Sequence, residues 1–330
     1  MLDLFSSVQA RVSVSVALGI GVVAATFGYF YRKKLLSSPP KKWVRVGELT
    51  DLMIYPIKSC GGIEAKELTC NILGPENGHV RDRVFMIITI EGQGITARSH
   101  PKIVLIQPRF EGDMMILSAP EQPEISIDVK KLHQQARGKS VVWGEQVSTV
   151  DCGDEVAAWV SRYLINDNVG FRLVFYPDSF STRDAWGKKK NSKDLETHAG
   201  ALHDVTSYML MNEASIEDLN KRLKDPVTSR QFRPNFLVNG RKEYAEDEWE
   251  WVRIGNVIFK NIFLCGRCIL PNINPESGTR HPEGEPLKTL KTYRMVSDSI
   301  KAPILGIHLG VHTPGVISMG DPVYMGVTRD

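Results

Sequence analysis

The 330-residue sequence predicts an α+β protein in which antiparallel or mixed β-strands dominate. Segments rich in Val, Ile and Met recur along the chain, and Gly and Pro clusters separate them, which is typical of β-rich domains. Two segments instead show the spacing of amphipathic helices. Hydrophobic residues make up 42% of the sequence and charged residues 24%, a composition that is ordinary for a globular protein and excludes a disordered chain.

The first strand follows a short linker at residues 37–42, where two serines, two prolines and two lysines succeed one another. Each predicted strand is a short apolar run bounded by turn residues. The predicted strands are residues 44–57, 83–90, 103–107, 114–117, 141–150, 235–238, 251–254, 257–264 and 315–327.

Two helices interrupt the strands. The first is capped by Asp151 or Asp154, and its apolar residues recur at helical spacing from Val156 to Leu164. The second covers residues 215–223, where Asp218 three positions after Ser215 is typical of a helix start. Residues 178–200 are polar and are predicted to form a solvated loop.

Residues 12–31 form a run of 20 positions without a charged side chain. A helix of this length spans roughly the 30 Å hydrocarbon core of a bilayer. Arg32, Lys33 and Lys34 follow at once, and the positive-inside rule then places the rest of the chain on the cytosolic side. A cleaved secretory signal and a buried core helix are the alternatives, but the length of the run and its basic C-terminal flank favour an uncleaved anchor.

The small excess of positive charge lies at the N-terminus. Lys and Arg total 41 and Asp and Glu total 38, so the formal net charge is +3. Residues 1–40 hold four basic side chains and Asp3 alone, which leaves 37 basic and 37 acidic residues in the remainder. A dedicated nucleic-acid-binding protein shows a stronger basic excess, so we expect no nucleic acid among the partners.

The cysteines do not form a disulfide framework, since there are five of them and the main body is expected in the cytosol. Cys265 and Cys268 form a single C-x-x-C pair, whereas a structural zinc site usually needs a second pair. A redox motif at the start of a helix and two half-buried thiols at a strand end remain as alternatives. Arg267 favours a thiolate, the form that binds metals. His308 and His312 are predicted to be ordinary polar positions, because glycines and a proline around them disfavour a helix.

Three further segments place a cation beside small polar groups. Lys58 and Ser59 precede two glycines, a turn that can present backbone N–H groups to an anion although it is not a Walker A loop. Arg83 opens a predicted strand, and Arg233 lies two residues before Asn235. Each segment alone is compatible with a surface ion pair or a turn. Together with Cys268 they indicate an anionic, polar ligand that carries a metal.

The segments around these residues closely resemble the mitochondrial amidoxime-reducing component family of MOSC (molybdenum cofactor sulfurase C-terminal) proteins. The resemblance runs from about Val46 to Tyr324 and includes the N-terminal anchor. Supporting segments are 96–98, 151–153, 212–215, 244–247, 287–290 and 320–324. The sequences that carry it are Ile54-Tyr55-Pro56-Ile57-Lys58-Ser59-Cys60, Arg81-Asp82-Arg83, Phe232-Arg233-Pro234-Asn235 and Cys265-Gly266-Arg267-Cys268-Ile269-Leu270.

The resemblance implies a β-barrel-rich MOSC fold with an N-terminal MOSC β subdomain, preceded by a single transmembrane helix. The implied organisation is an anchor and linker at residues 1–40, the N-terminal β-barrel subdomain at 41–180 and the MOSC domain at 181–330. It also implies a molybdenum cofactor, Mo-molybdopterin, whose metal is bound by the catalytic Cys268 while Arg267 helps to keep that cysteine deprotonated. The implied cofactor-binding residues are Lys58, Ser59, Arg83, Val205, Thr206, Arg233, Asn235, Gly266, Arg267 and Cys268.

The implied activity is the reduction of amidoximes, hydroxylamines and N-hydroxylated bases to amidines or amines. The chain has no dinucleotide fingerprint, so NADH itself is not expected to bind here. The resemblance implies that electrons come from NADH through cytochrome b5 reductase and cytochrome b5. The implied location is the mitochondrial outer membrane, with the catalytic body facing the cytosol. The alternatives are a cofactor carrier or sulfur-transfer module and a non-catalytic membrane scaffold. The sequence departs from the family pattern at Val205, Ser207, Gly266, Pro271 and Asn274, which bears on loop geometry and substrate range.

Overall fold

The computed structural model describes residues 38–183, 199–295 and 300–327. The predicted anchor at residues 12–31 lies outside them, as does most of the predicted loop at 178–200. In these three ranges no helix has the length and apolar character needed to cross a membrane. Residues Trp43–Val327 form one compact unit, which contains every site considered below.

The described residues contain nineteen strands and five α-helices. The first nine strands are β1 (Lys42–Ile54), β2 (Ile63–Glu64), β3 (Glu67–Asn71), β4 (Gly74–Asn77), β5 (Val80–Arg81), β6 (Phe85–Thr89), β7 (Gln107–Glu111), β8 (Met114–Ala119) and β9 (Gln122–Asp128). The remaining strands are β10 (Arg137–Val142), β11 (Glu145–Asp151), β12 (Phe171–Phe175), β13 (Tyr208–Asn212), β14 (Phe236–Val238), β15 (Trp251–Ile254), β16 (Val257–Gly266), β17 (Ile304–Thr313), β18 (Gly315–Ser318) and β19 (Pro322–Val327). The helices are α1 (Val129–Leu132), α2 (Asp154–Ile165), α3 (Glu213–Asn220), α4 (Ser229–Phe232) and α5 (Leu287–Tyr293).

Seven strands close into a barrel in the order β14, β13, β17, β16, β15, β19, β1, and β1 pairs back with β14 to complete the ring. The β13–β14 pair is parallel, and the β13–β17, β15–β16, β15–β19 and β16–β17 pairs are antiparallel. Aromatic rings fill the interior: the centroids of Tyr208 and Phe236 lie 5.5 Å apart, and Phe259 lies 5.2 Å from Tyr208. Closure removes exposed sheet edges and fixes the ends of the strands from which the site is built.

The N-terminal half carries its own sheets. Strands β10, β11, β12 and β6 form one sheet, and β7, β8 and β9 form another. Helix α2 packs on β12 and buries Trp159, whose indole N–H donates to the carbonyl of Pro123 at 2.5 Å. A second apolar core lies here, separate from the barrel core.

The predicted β-rich fold is confirmed, and several local predictions are wrong. Residues 103–107 are not a strand, since a 3₁₀ turn covers Pro101–Leu105 and buries Ile103. Residues 141–150 are two strands, because a turn at Trp143 and Gly144 folds them into the β10–β11 hairpin.

The two predicted helices exist with different starts. Gly153, with φ 101°, is the N-cap of α2, and the Asp151 side chain instead accepts a hydrogen bond from the Gly153 N–H. Helix α3 begins after the N-cap Asn212, so Ser215 lies inside the helix rather than at its start. The Ser215 hydroxyl donates to the buried carboxyl of Glu246.

Candidate active site

One cavity of about 210 Å³ lies where β1, β6, β13, β16 and β17 approach one another. All ten residues predicted to bind a cofactor line it. They come from the turn after β1, the turn before β6, the loop before β13, the segment before β14, and the end of β16 with the residues that follow. The structure therefore brings together side chains that are up to 210 positions apart in sequence, from Lys58 to Cys268.

Three of these residues have left-handed backbone conformations. The φ angles are 69° for Ser59, 47° for Arg83 and 59° for Arg233. Such conformations cost about 1–3 kcal/mol each in a non-glycine residue and cluster at functional sites. Arg233 adopts its conformation as the C-cap of α4, where its N–H donates to the carbonyl of Ser229 at 3.0 Å, and this turns the side chain into the cavity.

The carboxylate of Asp82 holds the floor of the cavity together. It accepts hydrogen bonds from the Tyr55 N–H at 2.6 Å and the Asn235 side chain at 3.2 Å. His203 donates through Nε2 at 2.8 Å, and Arg83 also donates to the same carboxylate. Burial raises the pKa of Asp82, but Arg83 and His203 together lower it below its ordinary value. Burial lowers the pKa of His203 to about 4, so its ring is neutral.

Arg83 and Arg233 both lie over the ring of Tyr55, at 4.9 Å and 4.1 Å from its centroid. Burial lowers the pKa of Arg233 to about 10, and the side chain remains a cation at neutral pH. One of its terminal nitrogens donates to the carbonyl of Cys60, while Nη2 is buried without a hydrogen-bond partner. A buried guanidinium nitrogen without a partner is costly, and an anion in the cavity would satisfy it.

A second group of cationic side chains also lines the cavity. Lys58 and Arg98 both form ion pairs with Asp204, and the Trp143 indole N–H donates to the same carboxylate at 3.0 Å. Burial lowers the pKa of Lys58 to about 8, although Asp204 opposes this shift. Partial burial raises the pKa of Asp204, but Lys58 and Arg98 lower it far more, so Asp204 is ionised.

The C-x-x-C pair separates into two different cysteines. Cys268 is exposed, whereas Cys265 is buried. Arg267 was predicted to assist Cys268, but its Nη1 donates to Cys265 Sγ at 3.0 Å and its Nη2 to the carbonyl of Phe232 at 2.6 Å. Burial raises the pKa of Cys265, while Arg267 and His308 lower it to a net value of about 6.

Three of the departures from the family pattern have local explanations. A Cβ at Gly266 would lie 2.7 Å from the Ile300 side chain, so the position is closely packed. The Ser207 hydroxyl donates to the carbonyl of Ile72 at 2.7 Å, a contact that a proline cannot make. Pro271 lies in the first positions of the 3₁₀ turn Leu270–Asn272, where its missing N–H is tolerated.

Several residues of the site were missed by the sequence predictions. Arg98, His203 and His308 line the cavity, and Asp82 supports it from below. The prediction that His308 is an ordinary polar position is wrong. Successive side chains of a strand point to opposite faces of the sheet. Whether His308 faces the cavity can therefore be determined only from the pairing of β17 with β13 and β16.

Comparisons with known proteins identify the family. The MOSC N-terminal beta barrel domain matches residues 46–167, and the MOSC domain matches residues 197–324. The mitochondrial amidoxime-reducing component 1 of Xenopus laevis is 35% identical over 97% of this chain and 93% of that protein. The chain belongs to the amidoxime-reducing component family of MOSC-domain proteins.

Other members of the family show similar sequence identity and coverage. The mitochondrial amidoxime reducing component 2 of Bos taurus is 37% identical over 86% of this chain and 84% of that protein. The human mitochondrial amidoxime-reducing component 1 is 34% identical over 94% of this chain and 90% of that protein. The closed seven-stranded barrel is the MOSC barrel of this family.

Proposed function

We propose that the protein is a molybdenum-cofactor-dependent reductase of N-hydroxylated compounds, which converts amidoximes, hydroxylamines and N-hydroxylated bases to amidines or amines. The observation that carries this proposal is the cavity in which an exposed cysteine, Cys268, lies among five cationic side chains. Relatives that share most of the chain are named for amidoxime reduction.

The residues of the cavity fit a molybdenum cofactor. Molybdopterin carries a phosphate and a dithiolene, and both are anionic. Arg233 Nη2 and Arg267 Nε are buried without partners, and they provide hydrogen-bond donors that such anions satisfy. Cys268 is the exposed thiol of the cavity, and a soft thiolate is a good ligand for a metal that is already bound by sulfur.

Each group of residues has a separate task in this proposal. Lys58, Arg233 and Arg267 bind the anionic parts of the cofactor, and Cys268 binds the metal. Asn235 uses its side chain to hold the floor in place, because its amide donates to Met53 and Asp82 and accepts from the Met209 N–H. The cofactor supplies two-electron redox chemistry at a metal, and the protein supplies orientation and charge.

The remaining proposed cofactor contacts are Ser59, Arg83, Val205, Thr206 and Gly266. Within the same proposal, residues 41–180 form the N-terminal subdomain and residues 181–330 the MOSC domain. The net reaction consumes two electrons and two protons for each R–NH–OH and releases R–NH2 and water.

The proposed electron donors are cytochrome b5 and NADH–cytochrome b5 reductase. Relatives are named mitochondrial, and residues 12–31 are long and apolar enough to anchor the chain in the outer membrane with its body in the cytosol. These partners and this location belong to the proposal.

The proposal is tested by metal analysis and turnover of the purified protein. We expect about one molybdenum per chain, and reduction of benzamidoxime when NADH, cytochrome b5 and its reductase are added. Bound molybdenum without reduction of any N-hydroxylated compound would favour a cofactor carrier or sulfur-transfer module. Protein that binds no molybdenum after expression in a cofactor-producing host would favour a membrane scaffold.

A further inference from the structure

His308 lies in the cavity wall within a chain of hydrogen bonds whose direction can be assigned. Its Nδ1 is 3.0 Å from the Thr206 hydroxyl, and that hydroxyl is also 3.0 Å from the carbonyl of Tyr208. A carbonyl only accepts, so Thr206 donates to Tyr208 and its oxygen accepts from His308 Nδ1–H. Nε2 is then the nitrogen of His308 that gains or loses a proton.

Cys265 provides the anion next to this histidine. Cys265 lines the same cavity as His308, and Arg267 donates to Cys265 Sγ at 3.0 Å. Burial raises the pKa of Cys265, but Arg267 and His308 lower it to about 6, so the thiolate is present at neutral pH. The arrangement of a thiol, an imidazole and a third group that orients the imidazole is the one that moves protons in many enzyme sites.

The surroundings explain why the histidine needs this anion. Strands β13 and β16 pack on either side of β17, and the charged groups they and their neighbouring loops bring to the cavity are mostly cations. The two nearby carboxylates are already engaged, Asp204 by Lys58 and Arg98, and Asp82 by Arg83 and His203. The titratable and charged groups that line the cavity with His308 are Lys58, Arg83, Arg98, His203, Asp204, Tyr208, Arg233, Cys265, Arg267 and Cys268.

We propose that His308 delivers protons to the substrate in this cavity, with the Cys265 thiolate as its counter-ion and Thr206 as the residue that orients its ring. The inference rests on the proposed reductase function. In the reaction R–NH–OH + 2e⁻ + 2H⁺ → R–NH2 + H2O, the N–O bond breaks and the oxygen leaves as water. His308 gives one of the two protons through Nε2, and solvent at the cavity mouth replaces it.

The first test compares two histidines of the same strand. His308→Gln should lower kcat for benzamidoxime about 10²-fold at neutral pH, because the loss of a positioned proton donor typically costs 10²–10⁴-fold. KM and molybdenum content should stay unchanged. His312→Gln is the matched control, since His312 is exposed and stacks edge-on against Trp251, 5.3 Å away. If His308→Gln is unstable, His308→Asn replaces it in the test. The asparagine amide lies near the position of Nδ1 and can still hydrogen-bond to Thr206.

The second test uses the counter-ion. Cys265→Ser removes the thiolate but leaves the cations, so the cavity loses the anion that favours a protonated donor. The alkaline limb of the kcat profile should move to lower pH by about one unit, with molybdenum retained. A merely structural role for Cys265 would change kcat or stability at all pH values equally. Identical pH profiles for wild type, His308→Gln and Cys265→Ser would overturn the inference.

The third test does not depend on the loaded enzyme. In full-length Cys268→Ser protein prepared without cofactor, the ultraviolet absorbance of thiolate should report Cys265 below pH 8. The other thiols do not interfere, because burial raises the pKa of Cys60 to about 12 and that of Cys70 and Cys152 further. Adding His308→Gln should move the Cys265 titration upward by about one unit. No movement would show that the two side chains are not a pair.

The results of these tests distinguish a failure of proton delivery by His308 from a failure of the proposed reductase function. Wild-type protein that binds molybdenum but reduces no N-hydroxylated compound overturns the proposed function, and proton delivery with it, whatever the thiolate titration shows. Wild-type protein that reduces benzamidoxime while His308→Gln retains the same kcat and pH profile overturns only the inference.

Discussion

Asp82→Asn should destabilise the protein strongly although it changes only one atom. All four partners of the Asp82 carboxylate are donors: the Tyr55 N–H, the Asn235 amide, His203 Nε2 and the Arg83 guanidinium. An asparagine offers one accepting oxygen, so its NH2 group must face two donors. The substitution also leaves Arg83 without its buried charge partner.

The size of the expected stability loss follows from the burial of Asp82 and Arg83. Removing one partner of a buried ion pair costs about 3–5 kcal/mol. The side chain of Asp82 is fully buried, but that of Arg83 is 15% exposed and recovers part of its hydration. We therefore expect a loss of about 3 kcal/mol, which corresponds to a fall in Tm of about 5 °C for a chain of this size.

Urea unfolding of wild type and variant measures this loss. Asp128→Asn is the matched control, because Asp128 caps α1 by accepting from the Lys131 N–H at 3.1 Å and asparagine caps a helix equally well. The control should change stability by less than about 0.5 kcal/mol. A loss below about 1 kcal/mol for Asp82→Asn would refute the assignment of Asp82 as the residue that holds the floor of the cavity.

The pH dependence of this prediction has a definite sign. The pKa of Asp82 is lower in the folded protein than in the unfolded chain, so its stabilisation is complete above the ordinary aspartate pKa of about 3.9. It is lost as the pH falls below that value. The difference in stability between wild type and Asp82→Asn should therefore stay constant above pH 5 and narrow in acid.

Three further predictions concern the cofactor site, a buried acid and the anchor. Arg233→Ala and Lys58→Ala should lower molybdenum content at least tenfold with little change in Tm, because each removes an anion partner from a preformed site; unchanged metal content would contradict their roles. Burial raises the pKa of Glu246 to about 7, so the wild-type protein should lose about 3 kcal/mol of its free energy of unfolding between pH 5 and pH 8. Glu246→Gln should not show this loss. If urea unfolding shows the same pH dependence of stability in both proteins, the prediction is refuted. A chain that begins at Lys41 should be soluble and active. The full chain should resist carbonate extraction from mitochondria, and protease added to intact mitochondria should digest the residues that follow the anchor. If those residues resist the protease until the outer membrane is ruptured, the proposed orientation is wrong.

The strands were predictable where their signals are local. The segments at 251–254 and 257–264 are apolar runs around a turn at Gly255, whose φ of 52° suits glycine, and the structure has strands there. The turn at Trp143 and Gly144 has positive φ at both residues, but tryptophan is not a residue that normally indicates such a turn. The sequence therefore predicts a single strand where the structure has a hairpin.

The site was predictable as a set of residue types but not as a set of contacts. Lys58, Arg83, Arg233 and Cys268 carry their chemistry in the sequence, and the structure places them on one cavity. Asp82 meets His203 and Asn235 across 121 and 153 positions, which no local pattern encodes.

The partner of Arg267 was accessible to local reasoning. In extended chain, residues two apart share a face and adjacent residues do not. Cys265 and Arg267 are two apart, and the structure indeed joins them, whereas Cys268 is adjacent to Arg267. Sequence proximity alone favoured the wrong cysteine.

The central claim is that Cys268 binds the metal of a molybdenum cofactor and that Cys265 does not. The most direct measurement compares molybdenum content and benzamidoxime reduction in wild type, Cys268→Ser and Cys265→Ser. We predict that Cys268→Ser abolishes reduction, since a hydroxyl is a harder and far less acidic ligand, while Cys265→Ser retains molybdenum and remains active below neutral pH. Full activity in Cys268→Ser together with an inactive Cys265→Ser would contradict the account.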